Sequence, residues 1–149
     1  FTLAEMSRTS HRTIDNTPPP EVIERLRRLC LEFLEPVRQR FGPLWVTSGY
    51  RCPELNKAIG GSRDSAHTYG CAADFASING ASTTDIVRWV AGPSGLLFDQ
   101  AIAEKSSTSV WVHLGMIRPG VILAPRREAL SFRNGIYYKF VADDPEHTA

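Results

Sequence analysis

The chain has 149 residues, enough for one domain that buries about 68–70% of the surface its unfolded form exposes. Lys and Arg total 17 against 16 for Asp and Glu, a formal charge of +1, which excludes a polybasic nucleic-acid binder and an acidic disordered chain. No apolar run reaches about 18 residues, so no membrane span is expected, and the opening residues lack the basic-then-apolar pattern of a secretory signal.

Thr2 followed by Glu5 fits a capping box for a short helix over residues 3–6. Pro18, Pro19 and Pro20 predict an extended entry into a helix over about 21–40. Val22, Leu26, Leu29, Cys30, Phe33, Leu34 and Val37 recur there at steps of three and four, one apolar face, and Pro36 is expected to kink or divide it. Leu44 to Thr47 reads as a buried strand, and a short helix around Glu54 to Ile59 is closed by Gly60 and Gly61. Cys71 to Ala76 suggests an inner strand around one acid, Asp74. Thr83 or Thr84 is expected to cap a helix to about Val90, stopped by Gly92-Pro93. Leu96 to Ala103 and Val110 to Met116 read as two more strands. Asn134-Gly135 between strand-like flanks signals a hairpin over 130–140, followed by a polar tail, Asp143 to Ala149. The elements predict an α+β fold, a central mostly antiparallel sheet with flanking helices, in a single domain over 1–149.

The candidate chemistry is carried by few residues. Cys30, Cys52 and Cys71 are too few for a disulfide framework and lack the close pairing of a thiolate zinc site. A metal, if bound, therefore rests mainly on His, Asp and Glu, and there are four histidines: His11, His67, His113 and His147. Gly70 permits a sharp turn that returns His67 beside Asp74, an acid too costly to bury in an apolar strand without a partner. His113 shares its strand face with Trp111, while Val110, Val112 and Leu114 face the other way. Two His and one Asp suffice for a catalytic zinc site with an open fourth position. Each residue alone also fits a hydrogen-bonded core role. His11 and His147 fall in polar or terminal segments.

The pattern Ser65-x-His67-x-x-Gly70-x-Ala72-x-Asp74, followed by Trp111-x-His113, resembles the D-Ala-D-Ala metallocarboxypeptidases of the LAS metallopeptidases, which share the hedgehog/D-Ala-D-Ala peptidase fold. The likeness extends to Phe1-Thr-Leu-Ala-Glu5, Ile14-Asp-Asn-Thr-Pro-Pro19, Thr47-Ser-Gly-Tyr-Arg-Cys-Pro53, Leu55-Asn56, Ile59-Gly-Gly-Ser62 and Phe98-Asp-Gln100, in the order of the small phage and bacterial branch. It implies His67, Asp74 and His113 as ligands of Zn2+. Arg51 falls on the position that holds the scissile carbonyl or its oxyanion, and Ser65 on a substrate-binding position that also suits a turn. Trp111 is a cleft wall or a core residue. Many relatives place a catalytic Glu three residues before the last His, where this chain has Val110. The branch it resembles carries the acid one strand earlier, in Phe-Asp-Gln-x-Ile-x-Glu. Phe98 to Glu104 fits that pattern, making Glu104 the first choice of general base and Asp99 the second. Five residues apart, the two acids point to opposite strand faces. Cys52 and Cys71 lie near these motifs without being assigned to the metal. The implied activity is hydrolysis of peptidoglycan stem peptides by a monomer acting at the cell wall, with no nucleic-acid partner. The alternative is a zinc-stabilised binding module of the same fold.

Overall fold

A computed structural model describes residues 1–141. The expected tail, with His147, lies outside them. The helices are α1 (Leu3–Met6), α2 (Pro20–Leu29), α3 (Glu35–Phe41), α4 (Pro53–Ala58) and α5 (Thr83–Ala91). The strands are β1 (Leu44–Ser48), β2 (Ala72–Ser77), β3 (Gln100–Lys105), β4 (Val110–Gly115), β5 (Glu128–Arg133) and β6 (Ile136–Lys139). They form one sheet in the order β1-β2-β4-β3-β5-β6, in which only the β3–β5 pair is parallel. The mixed α+β class read from the sequence holds.

Alternation along the strands gives the sheet two unlike faces. Val46, Ala73, Phe75, Ala101, Ala103, Val112 and Leu114 point to one face and pack on Leu26, Leu29, Leu34 and Val37 of the helical arm and on Ile86, Val87 and Val90 of α5. The intervening residues, Asp74, Ile102, Glu104, Trp111 and His113, therefore project from the other face.

Local signals account for many ends. The Thr2–Glu5 capping box forms in both directions. The β5–β6 hairpin turns at Asn134 and Gly135, whose φ of 52° and 80° are the two positive values a type I′ turn requires.

Three details differ from expectation and one sharpens it. The expected division of the 21–40 helix takes the form of a π segment (Cys30–Leu34), in which the Glu35 N–H reaches back to the Cys30 carbonyl. Pro36 has no N–H to continue the ordinary ladder, and the wider turn just ahead of it absorbs the mismatch. β1 is an edge strand, so it is buried on one face only; Trp45 is exposed beneath the Arg8 guanidinium. The α5 cap is Ser82, whose Oγ accepts from the Asp85 N–H at 3.0 Å. β3 begins at Gln100 instead of Leu96 and runs to Lys105, which puts Glu104 inside the strand.

One buried polar side chain ties the front of the chain to the site. Asn16 donates to the Ser7 and Tyr50 carbonyls, both at 2.9 Å, and accepts from the Cys52 N–H at 2.7 Å. Asn16→Ala leaves one buried and two half-buried backbone groups without these partners. It is expected to cost about 2–4 kcal/mol and lower the thermal midpoint by about 5–15 °C, measured by calorimetry.

Candidate metal centre

Three elements bring the candidate ligands together. Asp74 on β2 and His113 on β4 are direct antiparallel partners, so the sheet register alone sets them side by side on one face. His67 arrives from a 3₁₀ turn (Ala66–Tyr69) that ends in Gly70 with φ 70°, the left-handed region a glycine enters freely. The Cys71 N–H then bonds the Ala66 carbonyl at 2.9 Å, which clips the turn to the start of β2.

His67 is held from behind. Its Nδ1 lies 2.7 Å from the Gly49 carbonyl oxygen, an acceptor, so the ring proton sits on Nδ1 and Nε2 presents a lone pair. Burial pushes the His67 pKa down against the pull of Asp74, which favours this neutral form. Gly49 is itself confined, since a Cβ there would run into the Met6 carbonyl. His67 Nε2 is 3.1 Å from Asp74 Oδ1 and 3.2 Å from His113 Nδ1, and the last two atoms are 2.9 Å apart. Burial opposes ionisation of Asp74, but contact with His67 and His113 outweighs it and holds the carboxyl well below its usual range.

Electron pairs thus converge with too few protons to separate them. Neither His67 Nε2 nor ionised Asp74 Oδ1 carries one, and a proton on His113 Nδ1 leaves the His67–Asp74 contact unmediated. A cation answers that arrangement. Ligand atoms about 3.3 Å apart are what tetrahedral bonds of about 2.0–2.1 Å to nitrogen and oxygen require. Among the described residues, His67, Asp74 and His113 form the one group with metal-ligand geometry.

The other Asp74 oxygen, Oδ2, takes the Arg51 guanidinium at 2.6 Å. Arg51 Nε also donates to Ser48 Oγ at 2.9 Å, and its backbone N–H bonds the His67 carbonyl. Arg51, His67, Asp74 and His113 line a cleft of about 450 Å³ with Ser65, Gln100, Glu104, Trp111 and Tyr137. Ser65 lines the cleft without capping the His67 turn through its side chain. Glu104, opposite Trp111 in the β3–β4 ladder, is partly buried. Burial and the nearby Asp74 charge push its carboxyl up to about 7, although His113, Arg51 and a Trp111 hydrogen bond pull the other way.

Asp99 is not brought to this cleft. Arg126 grips its carboxyl through Nε at 3.1 Å, Nη2 at 2.8 Å and the backbone N–H at 3.0 Å. Burial alone would raise the Asp99 pKa, but those hydrogen bonds hold it low. Val110 stands exposed at the start of β4 and brings no acid. His11 is exposed in the loop after α1. Cys52 caps α4, its Sγ accepting from the Leu55 N–H, and Cys71 is buried in the core. Gln100 and Tyr137 are cleft residues that sequence reasoning left without a role. Gln100 lay within the Phe98-Asp-Gln segment, two residues before Ile102 on the same strand face, so alternation alone could have flagged it. Tyr137 had no signal beyond the hairpin.

The family model described as peptidase M15 matches residues 1–113. The match closes on His113, so it takes in all three members of the His–Asp–His group and leaves out the β5–β6 hairpin. No curated protein matches the chain.

A cation that binds only the folded protein stabilises it. At 100 times its dissociation constant, Zn2+ is expected to add about 2.7 kcal/mol and raise the thermal midpoint by about 5–10 °C. Calorimetry with zinc and with a chelator should show this shift in the wild type and lose it in His113→Ala.

Proposed function

The chain belongs to the peptidase M15 family of metallopeptidases, and from that premise we propose that it is a zinc peptidase hydrolysing peptidoglycan stem peptides. The bond cut is that of a D-Ala-D-Ala carboxypeptidase or a cell-wall endopeptidase, and the work is lysis or remodelling of the wall, as in a phage endolysin. The observation that carries the reading is the convergence of three proton-poor ligand atoms beside a half-buried carboxylate in one cleft.

His67, Asp74 and His113 would hold the zinc. Zinc so held supplies a Lewis acid and lowers the pKa of water to about 7. Glu104 takes the proton from the attacking water and returns it to the leaving amine. Its burial suits that exchange, because burial raises a carboxyl towards the pH at which it both accepts and releases a proton. Arg51 orients Asp74 through Oδ2, and from the cleft wall its guanidinium stabilises charge developing on the scissile carbonyl oxygen. Ser65 hydrogen-bonds the peptide and Trp111 forms an apolar wall.

The binding-module alternative drew its support from Val110 at the usual Glu position. Glu104 weakens that support, since it supplies a cleft carboxylate from the neighbouring strand. The place of action is the cell wall, reached through the periplasm, from outside, or by phage delivery. Among the described residues, no helix is long and apolar enough to cross a membrane.

Two measurements test the chemistry. Glu104→Gln is expected to keep its zinc and lose about 10²–10⁴-fold in kcat, with Asp99→Asn near wild type; retained turnover in Glu104→Gln contradicts the assignment. For the pH profile, the base works only when ionised, so kcat/KM falls as pH drops through the Glu104 pKa. That pKa is about 7 without a cation, and a bound cation lowers it. The acid limb should therefore lie at or below about 7 and vanish in Glu104→Gln.

A further inference from the structure

The cleft wall farthest across the sheet from Arg51 ends in Tyr137, which lies beyond the stretch that matches the family. One rung of the sheet carries Trp111 on β4, Glu104 on β3, Phe132 on β5 and Tyr137 on β6, paired directly across three strand interfaces. Two residues along each strand, His113, Ile102, Leu130 and Lys139 form the next rung of the same face. The first rung therefore starts beside the His–Asp–His group and runs about 14 Å to the sheet edge. The Phe132 and Tyr137 rings pack at 4.5 Å with planes tilted by 42°. The Asn134-Gly135 turn holds the two strands at that register.

Tyr137 is 56% exposed and lines the cleft with His67, His113 and Glu104. A ring held in place by a second ring, with much of its surface in water, is apolar area that a ligand gains by covering. The charges nearby decide which ligand. Glu104 stands on the same rung as Tyr137, two strands away, and both line the cleft. Lys139 follows on the same strand face but is not part of the cleft lining. An acidic side chain entering here meets Glu104. An ammonium group would pair with Glu104 and remove its capacity to accept a proton. An uncharged apolar side chain covers the rings without either penalty.

We propose that Tyr137, its ring backed by Phe132, forms a side-chain subsite in the cleft that takes a small apolar group of the substrate and rejects an acidic one. The proposal rests on the peptidase reading above for the identity of the substrate. Tyr137 is a specificity residue in it, since it acts on a side chain and not on the reacting atoms. The hairpin thus adds selectivity to a centre that the preceding residues already complete.

The test uses the full-length zinc-loaded protein and stem-peptide analogues carrying alanine, lysine or glutamate at either residue flanking the scissile bond. The wild type should favour alanine over glutamate at one of the two positions. Tyr137→Ala should raise KM for the alanine peptide about 10-fold, with kcat within about twofold, and flatten the preference; Tyr137→Phe, which keeps the ring, should restore it. An unchanged KM and preference in Tyr137→Ala overturns the proposal. Equilibrium binding of the same peptides gives a readout independent of turnover. Tyr137-dependent selectivity without hydrolysis supports the subsite and removes the peptidase reading. Hydrolysis without Tyr137-dependent selectivity does the reverse.

Discussion

The hydrogen bond from His67 Nδ1 to the Gly49 carbonyl, 2.7 Å long, decides what the centre can be. It places the only proton of a neutral imidazole on the far side of the ring. Nε2 then faces Asp74 and His113 as a pure acceptor. With the proton on Nε2 instead, both histidines could donate to the Asp74 carboxylate, and the same three residues would make an ordinary hydrogen-bonded cluster. With it held as found, they make a site short of positive charge. The backbone beneath is fixed with similar care: Gly49 leaves no room for a side chain against Met6, and the Tyr50 N–H bonds the Met6 carbonyl at 2.7 Å.

The sheet supports this arrangement by separating its two tasks. The helix-packed face holds residues with almost no exposure, including Phe75, Val112 and Leu114. The cleft face carries ionisable groups at alternate positions of those same strands. Asp74 therefore sits between Ala73 and Phe75, both fully buried, and its backbone has little freedom to move. Arg51 completes the support from the loop after β1. It neutralises the oxygen of Asp74 that faces away from the histidines, and its backbone N–H holds the turn that carries His67. The two sides of the cleft differ in consequence, with a guanidinium towards β1 and the Glu104 carboxylate and aromatic rings towards β6.

The sequence was most legible where a structure depends on neighbours within a few residues. The Thr2–Glu5 box, the left-handed Gly70 and the Asn134-Gly135 turn are local rules and form as read. The candidate ligands were legible because Gly70 shortens the path from His67 to Asp74 and because the motif order resembled a known family. The opposite-face reading of Asp99 and Glu104 followed from strand alternation; in the structure Asp99 falls just before β3 in the grip of Arg126, while Glu104 lies within β3 and lines the cleft. Cross-strand register was not legible. Nothing near Tyr137 in the chain says that it shares a rung with Glu104, and nothing near Asn16 says that it bonds residues 7, 50 and 52. The burial of Glu104 escaped for the same reason, since its neighbours come from β4 and β5. The π segment ahead of Pro36 followed in place but not in kind, because a proline can be absorbed by a kink, a break or a wider turn.

The central claim is that one metal ion is held by two imidazoles and one carboxylate, with no cysteine sulfur. X-ray absorption at the zinc edge of the loaded full-length protein tests it most directly. The account predicts one zinc per chain, nitrogen and oxygen neighbours at about 2.0–2.1 Å and an imidazole outer-shell pattern. Sulfur scattering at about 2.3 Å, or zinc well below one per chain, would contradict it.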